Sequence, residues 1–224
     1  MGKFITFEGG EGSGKTSHLI SLAKYLRDRD YTVRTTHDPG DTPIGIALRP
    51  LLLDKKYGIS KEAEFLLYLA ARAELVDKII NQNLRHVDFV LCDRFFDSTT
   101  VYQGLLRGWN KHNIGDDETG SDEDMTSFMH RYFSQNLIPD HTFLFDVNPV
   151  LGLNRSKGFD KNESRWEEEG LTTHTKINNA FYSLAVDDPR FIIIDANIEM
   201  ADVFNELVKQ FKIKVLGEEY NEVC

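Results

Sequence analysis

The residues with the clearest chemical content stand near the N-terminus, where Gly9-Gly10-Glu11-Gly12-Ser13-Gly14-Lys15-Thr16 fits the spacing G-x-x-x-x-G-K-[ST]. Glycines here let the backbone wrap a polyphosphate with its N–H groups pointing inward, and the start of a helix adds positive potential. Lys15 has the reach for β- and γ-phosphates, and the Thr16 hydroxyl suits Mg²⁺. Further on, the apolar run Phe89-Val90-Leu91-Cys92 ends in Asp93-Arg94. A carboxylate at the end of a buried strand beside such a loop is a candidate ligand for the same ion or its water. Three arginines, Arg49, Arg72 and Arg94, are spaced so that they could converge on one cleft as a second anion site. Tyr68 and Arg72 are four residues apart and share a helical face, so a ring and a guanidinium could hold a planar base together.

The elements that must position these groups are legible as alternating patterns. Short apolar runs at Phe4–Phe7, Tyr31–Thr35, Phe89–Cys92, Thr142–Phe145 and Phe191–Ile194 read as buried strands. Helical periodicity covers roughly 15–29, 43–53, 60–84, 97–107, 124–137, 149–155, 166–185 and 199–213. Strands alternating with helices predict an α/β fold, a mostly parallel sheet of about five strands with helices on both faces. Ligands of such sheets bind at the carboxyl ends of the strands, where the loop and Asp93 fall. No repeat or linker divides the chain, so 1–224 is expected to be a single domain. The acidic stretch 116–124 reads as a solvated loop ending at a helix N-terminus. The polar, weakly periodic segment at about 155–169 reads as a short mobile lid.

Composition narrows the partners. Of 224 residues, 26 are Lys or Arg and 36 are Asp or Glu, a formal net charge of −10. That balance argues against unspecific binding of nucleic acid or of a membrane surface, both of which depend on basic patches. The two cysteines, Cys92 and Cys224, have no metal-ligand spacing and fit a reducing cytoplasm. The first residues are too short an apolar run for a signal segment, and no stretch reaches the length of a membrane span.

A phosphate loop leaves the reaction open among a nucleotide switch, a motor module and a phosphotransferase. A GTP switch needs an N-K-x-D base-reading motif, whereas the nearest match, Asn110-Lys111-His112-Asn113, lacks the Asp. Transfer to a small acceptor needs a second anion site that brings the acceptor in line with the γ-phosphate, which the arginines could supply.

Several blocks together resemble the thymidylate kinase family. They are Phe7–Thr16, Asp38-Pro39-Gly40, Ile46–Leu53, Ala63-Glu64 through Arg72, Asp93-Arg94-Phe95 with Ser98-Thr99 and Val101–Gly104, Phe145–Pro149 with Leu153-Asn154-Arg155, and Ile194-Asp195-Ala196. The resemblance runs from about residue 4 to 200 and implies a P-loop kinase fold. It implies transfer of the γ-phosphoryl of ATP to dTMP with Mg²⁺, by a homodimer. Tyr68 would then stack on thymine and Arg72 would meet its carbonyl edge, with Ser98, Thr99 and Gln103 around the base. Tyr102 would lie against the sugar, Arg49 and Arg94 would hold the acceptor phosphate, and Asp38 would belong to the acceptor side. Glu11 would approach the sugar 3′-hydroxyl or the water shell of the metal. An acid at this loop position goes, within the family, with catalytic arginines from the lid, here Arg155 and Arg165. Such cations stabilise charge spread over the equatorial oxygens of the moving phosphoryl group.

The chain departs from the family pattern at His37-Asp38-Pro39-Gly40-Asp41-Thr42, where Arg-Glu-Pro-Gly-Gly-Thr is usual, at Ile46 and in an insertion-like stretch at about 109–124. These changes leave the transfer machinery and question the acceptor. A kinase for dUMP or a modified pyrimidine nucleotide, or a non-catalytic nucleotide-binding protein, are the alternatives.

Overall fold

The computed structural model describes residues 1–111, 125–156 and 169–218. Five strands, β1 (Lys3–Glu8), β2 (Val33–His37), β3 (Phe89–Asp93), β4 (His141–Asp146) and β5 (Phe191–Asp195), form one all-parallel sheet in the order β2-β3-β1-β4-β5. The expected strand count, direction and helical covering are borne out. The strand expected over Tyr31–Thr35 begins two residues later, because Thr32 is an anchor rather than a rung. Its N–H and hydroxyl both donate to Asp88 Oδ2, at 2.7 and 2.6 Å, and its carbonyl accepts the Asp88 and Phe89 N–H groups. Tyr31 turns its ring against the edge of Phe89 instead of joining the ladder.

On one face, α1 (Lys15–Arg27) and α9 (Met200–Gln210) cover Ile5, Phe7, Phe143, Phe145 and Ile194. On the other, α3 (Lys61–Leu75) runs through a π-helical turn (Val76–Ile80) into α4 (Asn81–Asn83) and packs on Phe4, Val90 and Cys92. The same face carries α5 (Phe96–Thr99), its π-helical continuation Thr100–Leu106, and α8 (Leu171–Asp187), which enclose Leu144, Val101 and Tyr102. Burying both faces explains why the strands read as unbroken apolar runs. Three further α-helices, α2 (Pro43–Leu53), α6 (Met125–Phe133) and α7 (Pro149–Ser156), the 3-10 turns Lys55–Tyr57 and Trp109–Lys111, and the π-helical Phe211–Leu216 after α9 complete the described elements.

The carboxyl ends of the strands are tied to one another. The Asp38 N–H donates to the Asp93 carbonyl and the Arg94 N–H to the Phe7 carbonyl, both at 3.0 Å. Two helices that carry site residues start on side-chain caps: Thr42 Oγ1 accepts the Gly45 N–H at the head of α2, and Ser60 Oγ accepts the Ala63 N–H at the head of α3. No helix of the described residues is long and apolar enough to cross a membrane.

Candidate active site

Residues 9–14 leave β1 and deliver Lys15 at the first position of α1. Gly12 takes φ +67°, and a Cβ there would come within 1.9 Å of the Gly152 carbonyl oxygen, so both the turn and the close approach of α7 demand glycine. Gly14 caps α1 in the left-handed region, at φ +88°. Lys15 folds over its own loop, donating to the carbonyls of Gly9 at 2.9 Å and Gly10 at 2.8 Å and to Ser13 Oγ at 3.3 Å. Burial, reinforced by Arg94, brings its pKa down to about 8 against the opposing pull of Asp93, Glu11 and Glu8. Next to it, the Thr16 hydroxyl donates to Asp93 Oδ2. These two hard oxygen groups, from α1 and the end of β3, meet at the loop where Mg²⁺ was expected. The described residues hold no cluster of three or more His, Cys, Asp or Glu suited to a metal. A Mg²⁺ carried largely by water and phosphate needs only one or two protein ligands, so this pair fits it.

A cleft of about 760 Å³ opens above the loop, and Arg49, Tyr68, Arg72, Arg94, Tyr102 and Gln103 are among its lining residues. Asp38, Ser98 and Thr99 line it too, as do Glu11, Gly12, Gly14, Lys15, Thr16 and Asp93. Residues more than ninety positions apart in sequence are thus brought together. Arg94 has φ +66°, unusual for a side chain with a Cβ, and its guanidinium reaches the Gly9 carbonyl at 3.2 Å, Ser98 Oγ at 3.0 Å and Glu11 Oε1 at 3.3 Å. Glu11 Oε1 also accepts the Tyr102 hydroxyl at 2.6 Å, and Oε2 faces His174 Nδ1 at 3.4 Å. Burial would raise this carboxyl, but His174, Arg94, Lys15 and Tyr102 outweigh it and hold the pKa near 2.

Arg72 is 1% exposed. Its Nε donates to Asp38 Oδ2 and its Nη2 to Thr99 Oγ1, both at 2.6 Å, with the Phe95 carbonyl at 3.3 Å. Its Nη1 and Asp38 Oδ1 have no hydrogen-bond partner among the described residues. Burial raises the Asp38 pKa against the pull of Arg72. Arg72 lines the cleft, and a guanidinium held on two sides with one buried donor left over is suited to an acceptor atom of a ligand. Arg49 donates to the Pro39 carbonyl at 2.8 Å, and Gln103 Nε2 donates to the buried Glu64 at 2.8 Å. The altered 37–42 loop is compensated from β2: Asp41 lines the cleft, but its carboxylate accepts from Arg34 at 2.9 Å.

Arg155 is not among the residues lining the cleft. Its guanidinium donates to the carbonyls of Ala196 at 2.7 Å and Ile198 at 3.2 Å, bracing the turn between β5 and α9, because α7 ends beside that turn. Arg165 and most of the expected lid at 155–169 lie outside the described residues, as does most of the insertion-like stretch at 109–124.

Glu8, His174 and Arg34 were not singled out from the sequence. Glu8, fully buried at the end of β1, accepts from the Phe95 N–H at 2.7 Å and from Ser98 Oγ at 2.6 Å, so it holds the segment after Arg94. Its signal was the same as that of Asp93, an acid closing an apolar strand. His174 occupies the first place of the stripe His174, Ile177, Phe181, Ala185, a polar residue at a core position of α8.

The family model described as thymidylate kinase matches residues 7–207. The thymidylate kinase of Syntrophus aciditrophicus is 38% identical over 221 residues, 95% of each chain. That of Carboxydothermus hydrogenoformans is 39% identical over 206 residues, covering 92% of this chain and 95% of its own. The crystal structure of thymidylate kinase from Ehrlichia chaffeensis superposes with a TM-score of 0.68 at 28% identity, over 93% of this chain and 97% of that one. With the phosphate loop, the Asp93-Arg94 turn and the Tyr68–Arg72 face all opening on one cleft, these matches over nearly the whole length mean that the chain belongs to the thymidylate kinase family.

Proposed function

We propose that this protein transfers the γ-phosphoryl group of ATP to dTMP, giving ADP and dTDP. The observation that carries the acceptor is Arg72, buried and oriented by Asp38 and Thr99, with Nη1 still unpartnered among the described residues and Tyr68 one helical turn away on the same cleft. A donor fork fixed in place beside a ring suits a planar base with a carbonyl edge, as thymine has. Asp41 does not count against a phosphate in this cleft while Arg34 holds its charge.

Residues 9–16 would cradle the donor phosphates, with Lys15 at the transferred group. Arg94 sits between the phosphate loop and Ser98, where it would bridge donor and acceptor phosphates, with Arg49 on the acceptor side. Glu11, ionised, would accept the acceptor's 3′-hydroxyl, and Tyr102, hydrogen-bonded to it, would bound the sugar. Thr16 and Asp93 would hold Mg²⁺, which supplies neutralisation of the phosphate charge. Transfer of this kind depends on positioning and charge compensation more than on a general base. Arg165 is assigned the lid cation, and Arg155, given its contacts, supports the β5–α9 turn. We place the reaction in the cytoplasm and the protein in a homodimer, for which exposed apolar side chains on α3 and α6 (Leu66, Tyr132 and Phe133) supply a surface.

The test is ADP formation with ATP and Mg²⁺ against dTMP, dUMP, dCMP, dGMP, UMP and no acceptor. Preferential turnover of dTMP is expected. Preference for another monophosphate would reject the acceptor and keep the mechanism, whereas acceptor-independent hydrolysis or no turnover would reject transfer.

A further inference from the structure

We propose that His174 is a positioning residue for this transfer: from α8 it sets the plane of the Glu11 carboxylate in which that acid meets the acceptor's sugar hydroxyl. The inference rests on the function proposed above and adds to it a residue outside the phosphate loop and the β3 turn. Tyr102 and Arg94 both contact the same oxygen of Glu11, Oε1. The last torsion of a glutamate is broad, so contacts to one oxygen leave the carboxylate free to swivel about it. The second oxygen is buried with no hydrogen-bond partner among the described residues and faces His174 Nδ1 at 3.4 Å, so His174 is the group placed to restrain it.

His174 is 5% exposed, and the side chain of Glu11 11%, so they meet in surroundings where a polar contact is worth more than in water. An ionised carboxylate only accepts, so a hydrogen bond forms here when Nδ1 carries the proton and the pair closes from 3.4 Å. The helix beneath is firmly seated: Ile177 and Phe181 are fully buried, the Phe181 ring meets the Tyr102 ring edge-on at 6.1 Å, and Asn178 Nδ2 donates to Asp146 at 2.9 Å. One helix therefore packs on Tyr102 and sets His174 against Glu11. Movement of α8 would be felt at both.

The experiment is a double-mutant cycle of Glu11→Gln and His174→Leu, with dTMP and with its 3′-deoxy analogue as acceptors. His174→Leu suits the apolar stripe and removes the donor. Its kcat/KM for dTMP is expected to fall about tenfold, the order of the hydrogen bond to a charged group that the pair would make with substrate bound. That loss should vanish in the Glu11→Gln background and with the 3′-deoxy acceptor. His174→Asn, whose amide nitrogen stands where Nδ1 does, should recover most of it. An equal loss with both acceptors, or additive effects in the cycle, would reduce His174 to packing and overturn the proposal. Should His174→Leu not fold, the ratio of the two acceptors in His174→Ser decides in the same way. A wild-type protein inactive with dTMP would refute the acceptor assignment, and the cycle is then read in thermal midpoints, where additivity overturns the contact.

Discussion

Glu8 and Glu11 lie three residues apart, the first fully buried and the second partly buried, and their surroundings drive them in opposite directions. Glu8 is pushed up to about 7 by burial and by Asp97, against Arg94, Ser98 and the Phe95 N–H, whereas Glu11 is drawn down to about 2 from the same ordinary value of 4.5. Between pH 4.5 and 7 the unfolded chain has released the Glu8 proton and the folded protein retains it, so this residue makes stability fall as pH rises through that window. Glu11 acts below it: from about pH 2 to 4.5 the folded protein has lost a proton the unfolded chain still holds, and stability rises with pH. Glu8→Gln keeps the shape and an acceptor for the Phe95 N–H, and it should flatten the decline of Tm between pH 5 and 7. Thermal melts at half-unit pH steps measure this; a decline as steep as in the wild type would exclude Glu8 as its source.

At the scale of elements, the site depends on how the ends of strands and helices are joined. Asp97 on α5 and Arg190 before β5 form a buried bidentate pair at 2.5 and 2.8 Å, which fixes the segment carrying Ser98 and Thr99 to the far side of the sheet. The phosphate loop meets α7 just as closely at Gly12. Gly12→Ala would combine a left-handed φ, costing about 1–2 kcal/mol in a residue with a Cβ, with a clash against backbone that has no flexible end to move. Its unfolding free energy from urea melts should drop by at least that amount and its KM for ATP should rise. By contrast a Cβ on Gly10 meets nothing within 4 Å, so Gly10→Ala should leave the urea midpoint close to the wild type.

For the whole molecule, Leu66 on α3 is 57% exposed and Tyr132 on α6 is 69% exposed, while the two helices pack against each other. Stable association buries on the order of 1,200 Å² or more, and a charge set in the middle of such a patch is costly to bury. In the homodimer proposed above, Tyr132→Glu should therefore shift the sedimentation coefficient from that of a dimer toward that of a monomer with little change in Tm of the subunit. A wild-type protein that sediments as a monomer would remove the dimer from the proposal.

The alternation of apolar runs with helical periods was enough to determine a parallel, doubly covered sheet, and the glycine spacing before Lys15 located the phosphate loop at its carboxyl edge. Those are local properties, set by burial on two faces and by backbone angles that few residues tolerate. The grouping of Arg49, Tyr68, Arg72 and Arg94 was legible only through spacing and the family resemblance, since nothing local to Arg72 distinguishes a base-reading arginine from a surface one. Tertiary structure alone decided what holds these groups: Asp38 behind Arg72, Glu8 behind Ser98, Arg34 on Asp41, and Arg155 turned to Ala196 and Ile198 instead of the cleft. Each such partner comes from a different element, and the chain brings them within hydrogen-bonding distance only after strand order has been set. His174 belongs with them, because a histidine in an apolar stripe acquires a role only when the helix that bears it is laid against Glu11.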